Sequence, residues 1–323
     1  MRKSTIAGIV LVGVCALAVA SYFGTGWLVY SQLADVRSTC DKHRGNTPDH
    51  FTNVSNWPGE YDFSPWFVPE YELVRFPSRQ PGVEIAAYYL KGEPDAPAVI
   101  VLDGIGGCKQ AQAALLPAGM LWHHGFNVLI IDLRDTGDSS AENGYSGIGS
   151  DEYLDALGAW DWLTDKKGFD EKRVGILGNS LGAASVLIAF QQEPRVAAVA
   201  VNSPFANLPQ IIREQLVKNG FPAFFAPAIV IMARIVEGED LLKYNPLDAI
   251  RSAGHRPVFV IHSTADETVD VHHSQQLQAA AEEAGVDATF WYIDVAGHVQ
   301  APGVYPEEFE SRITEFFASS LNP

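Results

Sequence analysis

From Tyr71 onward the chain alternates short, continuously apolar runs with longer helical stretches, and that alternation leaves few folds open. Runs that are apolar on both faces must be covered on both faces, as happens in a mostly parallel sheet flanked by helices. Tyr71–Phe76 and Val83–Leu90 flank Pro81-Gly82 and read as an opening antiparallel hairpin. Further strands fall at Ala98–Leu102, Asn127–Ile131, Arg173–Leu177, Ala197–Val201, Pro257–Ile261 and Ala288–Ile293. Helical segments lie between the later ones, at about 108–124, 151–166, 181–192, 270–285 and 306–320. The expectation is an α/β fold with a mostly parallel eight-stranded sheet and helices on both faces, forming one domain over 71–323. A helical lid is expected at about 204–256. A chain of 323 residues needs no second core for this.

The N-terminus obeys a different constraint. After Arg2 and Lys3, Ile6 to Tyr30 carries no charge, which is long enough for a helix to cross a hydrocarbon core. Ala18-Val19-Ala20 supplies the small-x-small pattern of a signal-peptidase site, so a secreted protein is the alternative. Tyr22, Phe23, Trp27, Leu28, Val29 and Tyr30 extend the apolar run past that site, and cleavage would expose them; residues 1–30 are therefore read as an anchor. Trp27 and Tyr30 also suit a membrane interface. Arg2 and Lys3 nearly balance Arg37, Lys42 and Arg44 across the segment. A short basic tail before a signal-like core leaves the tail in the cytoplasm and the domain outside. Residues 31–70, with Asn53, Asn56, Trp57, Pro58, Pro65, Trp66 and Pro69, read as a tether packed on the domain.

The net charge of −17 arises from 39 acidic and 22 basic residues without a long acidic run, which describes a solvated surface. Nucleic acid is excluded as a partner, because it requires a basic stripe. Cys15, Cys40 and Cys108 have neither C-x-x-C spacing nor a histidine cluster, so no metal site is expected. In an oxidising compartment Cys40 and Cys108 can pair; two separate thiols are the other reading.

The strand Arg173–Leu177 runs straight into Gly178-Asn179-Ser180-Leu181-Gly182, a G-x-S-x-G followed at once by a helical run. That strand–turn–helix context holds a serine in a strained backbone conformation, and the glycines give room for strand and helix to close together. A serine hydroxyl is a weak nucleophile and needs a base, oriented in turn by an acid. His298, in Ala296-Gly297-His298 after the last strand, is the candidate base. Asp266, in the loop after Pro257–Ile261, is the candidate acid; Asp270 and Asp294 are its rivals. All three candidates fall at carboxyl ends of strands, where such sheets bind ligands. His262, His272 and His273 read as structural, and His123 and His124 as the end of a surface helix. The backbone N–H of Leu181, next after the nucleophile, is one candidate oxyanion donor.

In the order Ser180, Asp266, His298 the chain resembles the α/β-hydrolase superfamily from roughly Tyr71 to Leu321. Within it the chain is similar to the prolyl-oligopeptidase-like and dienelactone-hydrolase-like branch, whose acid loop reads HGxxDxxV; here Ser263 replaces the glycine. Asp103-Gly104-Ile105-Gly106-Gly107 resembles that family's HGxGG loop, which implies Ile105 N–H as the second oxyanion donor. Asp103 stands where the family has histidine, and puts a negative charge near an oxyanion site unless it turns away or pairs with a base such as Lys109. Asp132–Ser139 resembles a DxRGxGxS turn with Asp135 in place of a glycine, and takes a structural role.

The resemblance implies hydrolysis of a small-molecule acyl substrate, most simply a carboxylic ester, through an acyl-enzyme and without a cofactor. Peptide or thioester cleavage uses the same residues. A non-catalytic, membrane-tethered binding protein is the reading of another class, and Asp103 is the feature that favours it. The lid carries Phe221, Phe224, Phe225, Ile229, Val230, Ile231, Met232 and Ile235, which either line an acyl pocket or pack as ordinary helices.

Overall fold

In the computed structural model, the strands are β1 (Glu72–Pro77), β2 (Glu84–Leu90), β3 (Ala98–Leu102), β4 (Asn127–Ile131), β5 (Val174–Asn179), β6 (Ala198–Asn202), β7 (Val258–Ser263) and β8 (Ala288–Ile293). They form one sheet in the order β1-β2-β4-β3-β5-β6-β7-β8. β1, β2 and β4 pair antiparallel; from β4 across to β8 every pairing is parallel. The structure describes residues 3–54 and 57–321, so Arg2 and Asn56 lie outside the described residues. β5 runs past the apolar stretch because Gly178 pairs with Leu102 and Asn179 with Asn202. That extension carries the ladder up to the edge of Ser180.

The helices are α1 (Lys3–Ala34), α2 (Gln112–His123), α3 (Tyr153–Asp161), α4 (Leu181–Gln192), α5 (Leu208–Lys218), α6 (Ala226–Met232), α7 (Pro246–Arg251), α8 (His272–Ala284), α9 (Ala301–Val304) and α10 (Pro306–Ser320). One face of the sheet packs with Leu157, Trp160, Leu187 and Phe190, and the other with Leu116, Phe309, Ile313 and Phe317. The strand residues between these layers are buried on both sides, which explains why they read as unbroken apolar runs.

α1 continues through Ala34, four residues beyond the apolar stretch that ends at Tyr30. Its outer part is apolar and long enough to cross a membrane. Its last turns turn inward: Val29, Tyr30 and Ala34 are buried with Phe205, Leu208, Ile211 and Ile229 in a third apolar cluster. Gly26 packs so tightly against α6 that a Cβ there would meet Ala228 Cβ at 2.6 Å. Beyond the helix, Ser146 N–H donates to Ala34 O (2.8 Å) and Val36 N–H to Gly144 O (3.1 Å). Phe51, Trp57, Phe63 and Val68 are buried against α2 and the sheet. Cys40 and Cys108 form a disulfide with a Cα–Cα distance of 5.7 Å across a sequence separation of 68. Closing a loop of that length contributes roughly 4 kcal/mol in the chain-entropy account.

Candidate active site

Ser180 sits between β5 and α4 with φ 54° and ψ −114°, a conformation that an L-residue adopts only under constraint. The constraint is visible. Ser180 N–H donates to Asn202 O (2.9 Å), Asn202 Nδ2 to Asn179 Oδ1 (3.1 Å), and Asn179 Nδ2 to Ala113 O (2.9 Å). Two glycines make the close packing possible. A Cβ on Gly104 would lie 2.8 Å from Ser180 Cβ, and one on Gly182 would lie 2.5 Å from Asp103 O. The elbow is thus jammed between β5, α4 and the loop after β3.

His298 Nε2 lies 2.8 Å from Ser180 Oγ, and His298 Nδ1 lies 2.8 Å from Asp266 Oδ2. Asp266 Oδ1 accepts from Thr268 N–H (2.8 Å) and Val269 N–H (2.9 Å). Burial pushes the Asp266 carboxyl up, but the hydrogen bonds from His262, His298 and Val269 outweigh it and hold the group well below the usual carboxylate range. An ionised Asp266 requires the His298 proton on Nδ1, which leaves Nε2 free to accept from the serine hydroxyl.

The rival side chains have other work. Asp270 is exposed and bonds His272, and Asp294 accepts from the Tyr305 hydroxyl. His262 is buried behind the acid: its Nε2–H donates to Val269 O (2.8 Å), while its Nδ1 accepts from Ser274 Oγ (2.6 Å). His123 and His124 close α2, against Phe67 O and Glu310.

Glu214, His272 and His273 converge, with ligand-type atoms within 4.8 Å of one another. His273 Nδ1 accepts from Ala206 N–H (3.2 Å), which puts the ring proton on Nε2, donating to Glu214 Oε2 (2.9 Å). Burial lowers the pKa of His273 and favours this neutral form. In this arrangement the trio forms a polar clasp between α5 and α8.

Asp103 does not pair with Lys109. Lys109 bridges Asp132 (2.5 Å) and Asp138 (2.5 Å) instead, while Asp103 Oδ1 accepts from Gly104 N–H (2.8 Å). Burial is the main influence on Asp103 and raises its pKa to about 6, against the hydrogen bonds from Gly104 and Asn179. Asp135 takes φ 60°, the left-handed conformation that a glycine would adopt without strain, and its Oδ1 collects Glu142 N–H (2.6 Å) and Gly144 N–H (2.9 Å). These bonds explain how an aspartate replaces glycine there.

Beside Ser180 lies a cavity of about 160 Å³ whose walls include Leu33, Ile105, Leu181, Leu208, Ile211 and Val269. Its polar lining is limited to Ser180, Gln215 and Thr268, and Gln215 Nε2 is already spent on Thr268 O (2.7 Å). Among the described residues, no charged side chain lines it. The phenylalanine-rich part of the lid is not in this wall: Phe224 and Phe225 stack on Tyr22 of α1, and α5 lines the cavity in their place. Sequence reasoning missed Leu33, Leu208, Ile211 and Ile212. The helical apolar spacing of Leu208, Ile211 and Ile212 was the available signal, whereas nothing local marks Leu33.

The sequence model of the prolyl oligopeptidase family matches residues 118–323, so the loop containing Asp103 and Ile105 lies outside the matched stretch. An uncharacterised protein of Mycobacterium tuberculosis is 30% identical over 207 residues, which cover 63% of this chain and 65% of that relative's length. In structure, the chain is similar to an esterase of Pyrococcus furiosus, with a TM-score of 0.64 at 23% identity over 82% of this chain and 97% of the other. It is also similar to an acylaminoacyl peptidase of Pyrococcus horikoshii, with a TM-score of 0.57 at 18% identity over 78% of this chain and 42% of the other. At these identities the structural likenesses speak for the α/β-hydrolase fold.

Proposed function

The chain belongs to the prolyl oligopeptidase family, and from that premise we propose that it is a membrane-anchored serine hydrolase that cleaves carboxylic esters. The observation that carries the ester reading is the wall of the cavity at Ser180, which is apolar, uncharged and suited to an acyl chain. A peptide would bring backbone amides, and the lining side chains of this cavity are mostly apolar, with Ser180, Gln215 and Thr268 as the polar ones.

His298 Nε2 takes the Ser180 proton as Oγ attacks the ester carbonyl carbon. The tetrahedral oxyanion is held by the N–H groups of Leu181 and Ile105. Leu181 opens α4, where first-turn amides have no intrahelical acceptor, and Ile105 follows the glycine packed against Ser180. Collapse expels the alcohol, which leaves with the proton from His298. Water then attacks the acyl-enzyme, again with His298 as base, and releases the acid and the free serine. Asp266 keeps the proton on Nδ1 and stabilises the imidazolium in each half-reaction.

The anchor reading rests on the exposed apolar stretch of α1 before Tyr22, which is long enough to cross a membrane and runs as one helix into the turns packed on the domain. The Cys40–Cys108 disulfide favours an oxidising compartment, and so a domain on the extracytoplasmic side. A panel of p-nitrophenyl esters, aminoacyl amides and acyl thioesters tests the substrate class. Esters are expected to give the highest kcat/KM; an aminoacyl amide cleaved faster than every ester would overturn the assignment.

A further inference from the structure

One helix carries both the membrane-crossing stretch and part of the cavity wall. Residues 4–21 of α1 are exposed and, after Ser4 and Thr5, uncharged and largely apolar. At 1.5 Å per residue they span roughly 27 Å, close to the thickness of a bilayer's hydrocarbon core. Contact with the domain begins at Tyr22, whose hydroxyl donates to Phe224 O (2.8 Å) and whose ring stacks on Phe224 and Phe225. Phe224 remains 60% exposed, which puts an apolar lid side chain level with the end of the membrane stretch. Eleven residues on, roughly 16 Å along the helix, Leu33 forms a wall of the cavity at Ser180.

This stretch of α1 is fixed on the domain. Tyr30 is fully buried and its hydroxyl donates to Ser146 O (3.2 Å), Gly26 touches α6, and Ala34 O accepts from Ser146 N–H. The bilayer surface, the lid and the reactive serine are therefore held at a set separation, one that an extended long acyl chain bridges. A helix serving only as a tether would need neither the tight seam with α6 nor a side chain beside the nucleophile.

We propose that α1 is a structural part of the acyl-binding site, that Leu33 sets which chains the site accepts, and that the substrate is a single-chain lipid ester drawn from the bilayer that holds the enzyme. This rests on the ester-hydrolase reading above and adds the origin of the substrate and the residue that selects it. The single chain follows from the narrow cavity, and an uncharged apolar wall provides for the tail rather than for a headgroup.

The test uses the full chain reconstituted in phosphatidylcholine vesicles. Leu33→Trp fills the cavity and is expected to lower the ratio of kcat/KM for p-nitrophenyl dodecanoate over acetate by about tenfold or more. Leu33→Ala opens the wall and shifts the preferred chain length upward, which keeps the test decisive if the tryptophan variant fails to fold. Leu28→Trp, on the exposed side of α1, leaves the ratio within about twofold. Monododecanoylglycerol in the enzyme's own vesicles is expected to be hydrolysed about tenfold faster than the same lipid in separate, enzyme-free vesicles. An unchanged ratio in both Leu33 variants, or equal rates from the two vesicle populations, overturns the proposal while leaving ester hydrolysis standing. If Ser180 still reacts with a fluorophosphonate but no ester of any length is turned over, the ester reading falls and this proposal falls with it.

Discussion

The carboxyl edge of the sheet and the layer made by α1 and the lid meet at Ser180, yet different forces hold them. At the edge nearly every polar atom has a named partner: Asp266 collects two backbone N–H groups and His298, His262 braces the loop, and Asn202 and Asn179 lock the elbow. Hydrogen bonds of this kind are directional, so they fix reacting atoms to within the tolerance that proton transfer needs. The α1–lid layer is held by burying Val29, Tyr30, Leu208, Ile211 and Ile229, with few polar clasps. Apolar packing is non-directional and tolerates repacking. On the proposals above, chemistry falls to the hydrogen-bonded region and chain selection to the apolar one.

The comparison can be broken first at its most exacting point, Asp103. Its folded pKa is raised from an ordinary 3.8 to about 6, so the folded state binds the proton more tightly than the unfolded chain does. The stability carried by the neutral carboxyl is complete below about pH 4 and is lost as pH rises through about 6, amounting to about 3 kcal/mol. Asp103→Asn keeps an acceptor for Gly104 N–H and removes the charge. Denaturant titrations between pH 4 and 7 are expected to lose that component of the pH dependence in the variant. An unaltered profile would show that this corner of the edge is wetter and looser than its hydrogen bonds imply.

A smaller effect is expected on the other side. Gly26→Leu forces α1 away from Ala228, and overpacking of this kind costs about 1–3 kcal/mol. Thermal unfolding should show that loss, while fluorophosphonate labelling of Ser180 continues at close to the wild-type rate. Labelling that collapsed with the seam would mean that the two regions are one mechanical unit.

The same division governs what could be read from the sequence. All eight strands were legible; the inner ones leave continuous apolar runs because both their faces are covered, and β3, β4 and β8 have the expected bounds. Ser180, Asp266 and His298 were legible as candidates because each follows a strand end within a short motif, and the fold brings those ends to one edge. Leu33 was not legible. Its place beside Ser180 depends on how α1, α5 and the elbow pack across most of the chain, and no local pattern encodes that. The lid phenylalanines left two readings open, pocket lining or ordinary packing, because apolar character predicts contact but not its partner; Phe224 and Phe225 pack on Tyr22. Of the two alternatives for Asp103, turning away or pairing with a base such as Lys109, the pairing is not formed, because Lys109 binds Asp132 and Asp138.

The central claim is that Ser180, activated by His298, is the nucleophile of a hydrolase. Intact-protein and peptide mass spectrometry after brief exposure to a fluorophosphonate tests it most directly. The account predicts a single adduct on the peptide containing Ser180, absent in Ser180→Ala and slowed by about a thousandfold in His298→Ala. Folded wild-type protein that takes up no adduct, or an adduct that persists in Ser180→Ala, would contradict it.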